Sequence, residues 1–275
     1  MSSNLSTVPN TPVKACTILL TRDNVAGIEV FMVKRNQKID FAYGALVFPG
    51  GKLDVQDSDP ELIKFCSGEG LSIEEPAARI CGIRETFEEA GILLARDANT
   101  GKMISGERCA ELALSYRELL HTGSLTLLEI LKKENLKLAC DKLTLFARWI
   151  TPKSFSRRFD AFFYLAESPV DYIASHDNTE SVNSFWKAPS DVIKDADEGR
   201  ATVVFATRMN LYKLSQHDNV MSLIEVTKTE EIVTVEPVLS KKGDDVTYTI
   251  PIEAGYGITQ FTEYGGPSLK IKSQR

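Results

Sequence analysis

The strongest constraint on this chain is a glycine turn coupled to an acidic helix. Phe48-Pro49-Gly50-Gly51 is followed downstream by Arg84-Glu85-Thr86-Phe87-Glu88-Glu89-Ala90-Gly91-Ile92. The pattern predicts a helix over Pro76 to Leu93, with proline near its start and Gly91 near its end. At about 100° per residue, Glu85, Glu88 and Glu89 share an arc of roughly 100°. Ile80, Ile83, Phe87 and Ala90 fall on the opposite side as a core-facing stripe. Like charges three or four residues apart each cost roughly 0.2–0.5 kcal/mol. Three carboxylates held together therefore imply a cation that offsets the repulsion, and hard oxygen ligands suit Mg²⁺ or Mn²⁺ bound against phosphates. For an isolated Glu-x-x-Glu-Glu, a solvated face paired to Arg84 or Arg79 is the commoner case. The adjoining Arg84, Gly91 and the upstream double glycine favour the metal.

The rest of the chain sets bounds. With 275 residues and 43% apolar content it can bury a full core, as one elaborated domain or a domain with an appendage. No apolar run approaches a membrane span, and Met1 to Pro12 carries no secretory signal. Five dispersed cysteines without Cys-x-x-Cys favour free thiols in a reducing compartment. A net charge of −6 argues against nucleic acid as a partner; a diphosphate would approach only where metal ions reverse the local sign. Strands are expected over Val13 to Leu20 and Ile28 to Arg35, with a turn over Arg22 to Gly27, and again over Ala45 to Phe48, Leu143 to Ile150 and Arg158 to Ala166. Helices are expected over Glu61 to Cys66, Glu107 to Leu120, Ser124 to Glu134, Ser190 to Asp197 and Thr202 to Gln216, with two or three strands over Glu231 to Ile252. His121, His176 and His217 share no ligand or triad spacing.

These residues resemble the Nudix hydrolases, whose box is Gly-x5-Glu-x7-Arg-Glu-U-x-Glu-Glu-x-Gly-U, U being aliphatic. Gly51 matches its first glycine, and Arg84, Glu85, Glu88, Glu89, Gly91 and Ile92 match its second half. Asp57 stands where the first Glu is usual, and Thr86 where an aliphatic residue is usual. Gly51 to Arg84 spans 33 positions rather than 14, so 19 residues are inserted, roughly Ser58 to Pro76. Such a loop lengthens at about 0.6 kcal/mol per doubling. Val33-Lys34-Arg35 and Gly44-x3-Phe48-Pro49-Gly50-Gly51 look like the signature of coenzyme A diphosphatases. The long insertion, Arg148-Trp149-Ile150-Thr151-Pro152 and Arg158-Phe159-Asp160 resemble the peroxisomal-type acyl-coenzyme A subgroup and its bacterial relatives.

The resemblance implies an α/β fold: a Nudix-type α/β/α sandwich with a mixed β-sheet, helical insertions and a C-terminal extension. The organisation read from it is a tail over 1–11, a hydrolase domain over 12–215 with insertions near 58–76 and 96–142, and an extension over 216–275 packed on the same domain. It implies metal-dependent hydrolysis of a nucleoside diphosphate derivative, with coenzyme A or an acyl-coenzyme A giving 3′,5′-ADP and (acyl-)phosphopantetheine. An ADP-ribose or NADH pyrophosphatase, and a non-catalytic nucleotide sensor, are the alternatives. Glu88 and Glu89 are the leading ligands for Mg²⁺ or Mn²⁺, with a backbone carbonyl of Gly50 or Gly51, and Glu85 is a third ligand or the base. Arg84 holds the carboxylates in register, Glu180 completes the site from a later loop, and Arg35 and Arg158 meet the substrate. The partner is a coenzyme A-like small molecule, with neither nucleic acid nor membrane; a homodimer is allowed. Ser273-Gln274-Arg275 is not a peroxisomal address, which favours the cytoplasm.

Overall fold

A computed structural model describes residues 11–35, 44–66, 74–169 and 181–265. The chain opens with two long strands, β1 (Val13–Asn24) and β2 (Gly27–Arg35), rich in β-branched and aromatic residues. They pair only from Thr21 to Asn24 against Gly27 to Val30, joined by the two-residue turn Val25-Ala26. The turn is shorter than the sequence suggests, because Arg22 and Glu29 pair across the strands at 2.7 Å and extend the ladder. Beyond it β1 and β2 splay, and the wedge is filled by β3 (Ala45–Val47) on β2 and β4 (Gly50–Lys52) on β1. Phe48-Pro49 carries the chain from one to the other.

A short 3₁₀ turn (Val55–Ser58) and α1 (Pro60–Ile63) precede α2 (Glu74–Ala90), the acidic helix. It ends before Gly91, so Ile92 and Leu93 enter the core as extended chain. Next come β5 (Ala95–Asp97), α3 (Gly106–His121), α4 (Leu127–Glu134), β6 (Leu136–Leu138), β7 (Thr144–Ile150) and β8 (Phe159–Glu167). The chain continues through β9 (Ser181–Lys187), α5 (Pro189–Asp197), β10 (Thr202–Val203), α6 (Phe205–Leu214) and α7 (Val220–Thr229). It closes with β11 (Thr234–Val235), β12 (Val238–Lys242), β13 (Asp245–Thr249) and β14 (Gln260–Glu263).

The central sheet is mixed and runs β10-β3-β2-β1-β8-β7-β11, with β4 on β1 and β9 on β2. β1 lies parallel to β8 over its length, while β7 and β8 are antiparallel. Each face buries its own core. Cys16, Ile18 and Leu20 face α2, α3 and α4; Leu19, with Val30 and Met32 of β2, faces α5, α6 and α7. The result is the expected α/β/α sandwich. Ile80, Ile83, Phe87 and Ala90 are fully buried, as their stripe requires. Helix α2 comes so close to β1 that a Cβ on Gly82 would lie 2.7 Å from Cys16 Sγ and Ile18 Cδ1.

The segment Thr202 to Gln216 is not one helix. Val203 pairs with Leu46 in the sheet, and the helix begins only at Phe205, since two β-branched valines fit an edge strand better than a helix start. Helix α7, capped by Asn219 through Ser222 N at 2.9 Å, was not expected. The helices between β5 and β6 brace α2: Arg117 donates to the carbonyls of Glu88 (2.7 Å) and Glu89 (2.6 Å), satisfying the helix C-terminus. Five cysteines are free thiols, and no helix among the described residues is long and apolar enough to cross a membrane.

Candidate active site

Strand β4 and helix α2 build the site by lying against each other. Gly51 has no side chain because Glu85 fills that space: a Cβ there would sit 2.4 Å from the Glu85 carboxylate. Next to it, Gly50 N donates to Glu89 Oε2 at 3.0 Å. The glycine turn thus does two jobs, leaving room for one carboxylate and orienting another.

Arg84 organises the rest. Its Nε and Nη2 make a bidentate pair with Asp57, both at 2.9 Å, and Nη1 lies between Glu85 Oε1 (2.9 Å) and Glu88 Oε1 (3.0 Å). Asp57 is fully buried and also accepts from Asp54 N at 2.8 Å. The residue at the first acidic position of the box therefore anchors the arginine and closes the turn. Surrounding anions hold Arg84 firmly charged despite its burial. Burial pushes the Glu85 carboxyl up to about 7, with Glu88 and Asp57 adding repulsion and Arg84 opposing it.

One further side chain joins the cluster. His121, at the end of α3, brings Nδ1 to 3.6 Å from Glu88 Oε2. Its 33-residue separation from Glu88 gave no local signal, and only the packing of α3 on α2 reveals it.

Among the described residues, no three acidic, histidine or cysteine side chains stand close enough to hold a metal ion as they are arranged. The reason is Arg84, which draws one oxygen each of Glu85 and Glu88 to itself. The donor chemistry still fits a hard divalent ion. Among the described residues Glu85 Oε2 takes no hydrogen bond, Glu88 Oε2 meets only His121, and Glu85 and Glu88 share one arginine that is also paired with buried Asp57.

The cluster lies at one end of a cavity of about 740 Å³. Arg35 lines it, and its buried Nε has no hydrogen-bond partner among the described residues. Arg158 does not reach it: Nη2 pairs with Glu236 at 2.6 Å and Nε donates to Thr151 O at 2.9 Å. The exposed neighbour Arg157, in the bend that precedes β8, lines the cavity instead. Glu180 lies outside the described residues. Glu85, Glu88, Glu89, Arg84, Gly51 and Arg35 are thus brought together.

A splayed mixed sheet between helical layers, with a glycine strand backed by an Arg-Glu-x-x-Glu-Glu helix, defines a Nudix diphosphatase, a hydrolase. The model of the NUDT19 Nudix domain matches residues 66–216, more than half of the chain, and the protein belongs to that family. It is similar to the acyl-coenzyme A diphosphatase NUDT19 of Xenopus laevis, at 26% identity over 84% of this chain and 72% of the relative. The Gallus gallus protein of the same name is 25% identical over 73% of this chain and 64% of its own. Among solved structures, a NUDIX hydrolase from Alicyclobacillus acidocaldarius shares the fold, with a TM-score of 0.65 at 24% identity, covering 78% of this chain and 96% of that one.

Proposed function

We propose that the protein hydrolyses the diphosphate of coenzyme A or an acyl-coenzyme A to 3′,5′-ADP and (acyl-)phosphopantetheine, with Mg²⁺ or Mn²⁺. The observation that carries this reading is the convergence of Glu85, Glu88 and Glu89 on Gly50-Gly51 at the end of a large cavity. The names of the Xenopus and Gallus relatives support the choice of branch.

Glu85, Glu88 and Glu89, with the Gly51 carbonyl, would hold the cation. When bound, a divalent ion neutralises diphosphate charge and lowers the pKa of water. Glu85, where it is the base rather than the third ligand, would take a proton from the attacking water. The water oxygen bonds to one phosphorus, and the anhydride P–O bond to the leaving phosphate breaks. Arg84 holds Glu85 and Glu88 in place, and Gly50 N holds Glu89. Arg35 supplies a guanidinium to a substrate phosphate, and Glu180 is the proposed completing acid. Arg158, tied to Glu236 away from the cavity, has no proposed contact with the substrate.

The test is a panel of coenzyme A, acetyl-coenzyme A, ADP-ribose and NADH, incubated with Mg²⁺, Mn²⁺ or chelator and read by mass spectrometry. The expected result is 3′,5′-ADP from the coenzyme A pair, only with metal. Faster release of AMP from ADP-ribose overturns the substrate assignment, and nucleotide binding without any product favours a sensor.

A further inference from the structure

The cavity that starts at the carboxylates ends on parts of the chain remote from the glycine–glutamate motif. Trp149 comes from β7, Phe163 from β8, Phe205 and Ala206 from the start of α6, and Pro237 and Tyr248 from the segment after α7. The ring of Tyr248 stacks on Phe205 at 4.3 Å and 24°, and Trp149 meets Phe205 edge-on at 5.7 Å. These contacts clamp the small sheet of β12, β13 and β14 onto the cavity. Tyr256, just before β14, secures it further by accepting from Trp149 Nε1 at 2.9 Å and donating to Asn210 Oδ1 at 2.9 Å.

The wall these rings form is apolar, and its polar atoms are already engaged. Trp149 Nε1 is given to Tyr256, and Tyr248 Oη donates to Glu263 at 3.2 Å. A nucleobase is selected through hydrogen bonds to its edge, and the edge groups of a base placed here would find these partners already taken. An alkyl chain needs only apolar surface. Free pantetheine, with two amides, is also a poor match for such a surface.

Resting on the acyl-coenzyme A reading above, we infer that this wall receives the acyl chain, so that the C-terminal sheet is a specificity element of the active site. The carboxylate end fixes where the diphosphate is cut, and the aromatic end selects which thioesters are favoured. The chemical class it fits is a diphosphate bearing a linear aliphatic substituent.

The experiment compares kcat/KM for coenzyme A, octanoyl- and dodecanoyl-coenzyme A in the full chain, with Ala206→Trp and Tyr248→Ala variants. Ala206 is half-buried on the cavity surface, so tryptophan there fills space without opening the core. Each fully buried methylene is worth about fourfold. The native protein is therefore expected to prefer dodecanoyl-coenzyme A to coenzyme A by at least tenfold, and Ala206→Trp to erase that ratio. Tyr248→Ala is expected to lower it; should that variant not fold, Ala206→Trp decides. Turnover of coenzyme A with a ratio near one in the native protein, or an unchanged ratio in Ala206→Trp, overturns the inference and leaves the diphosphatase reading standing. Failure of the native protein to release 3′,5′-ADP from any of the three substrates overturns that reading itself.

Discussion

Glu85→Gln is predicted to make the metal-free protein more stable while removing its activity. The Glu85 carboxyl lies near 7 rather than at an ordinary glutamate's 4.5, because burial disfavours its charge more than Arg84 supports it. That difference corresponds to about 3 kcal/mol when the group is fully ionised. The sign follows from linkage. A raised carboxyl favours the folded state while protonated, so this part of the stability is present below pH 4.5. It is lost as pH rises through about 7. Glutamine cannot ionise and keeps its stability throughout. In chelator, melting curves of the two proteins should coincide near pH 4.5 and separate by roughly 6 °C at pH 8, the variant being the higher. Mg²⁺ at a thousand times its Kd should reverse that order at pH 8, since an ion held by the native site then adds about 4.1 kcal/mol. A variant no more stable than native at pH 8 in chelator would refute the claim that Glu85 is held at an energetic disadvantage.

Other perturbations probe separate parts of the site. Gly51→Ala places a methyl where the Glu85 carboxylate lies, at 2.4 Å, and should lower kcat at least about 100-fold in steady-state assays. Arg84→Lys keeps the charge but loses the bidentate Asp57 pair and should cost about 1–3 kcal/mol by denaturant melts, since buried Asp57 is left short of hydrogen bonds. Gly82→Ala forces a contact of 2.7 Å on Cys16 and should lower stability by about 1–3 kcal/mol, with KM unchanged in the folded fraction. Arg35→Met should raise KM for coenzyme A about tenfold with little change in kcat, because the lost contact is made equally in ground and transition states.

What could be read from the sequence follows periodicity and local chemistry. Helix α2 was visible because its apolar stripe and glutamate arc repeat at 3.6 residues and Gly91 stops it. Helix α7 was missed although Asn219 caps it, since its exposed Met221 and Val226 blur the apolar face. The convergence of Glu85, Glu88, Glu89 and Gly51 was legible because box spacing places them on one turn and one strand. The pairing of Arg84 with Asp57 across 27 residues was not, nor was the approach of His121, for both depend on how the inserted segments fold back. That Arg157 rather than Arg158 lines the cavity was not legible, because both sit in the irregular chain before β8 and only the pairing of Arg158 with Glu236 turns it away. The aromatic wall combines β7, β8, α6 and β13, and no local pattern announces a surface assembled from four elements.

The central claim is that carboxylates from one helical turn and the adjoining glycine strand jointly hold a divalent cation. A crystal grown with Mn²⁺ and examined at the manganese absorption edge tests it most directly. The account predicts an anomalous peak bounded by Glu85, Glu88, Glu89 and the Gly51 carbonyl, with Arg84 drawn back toward Asp57. Carboxylates still shared with Arg84 and no peak among them would contradict it.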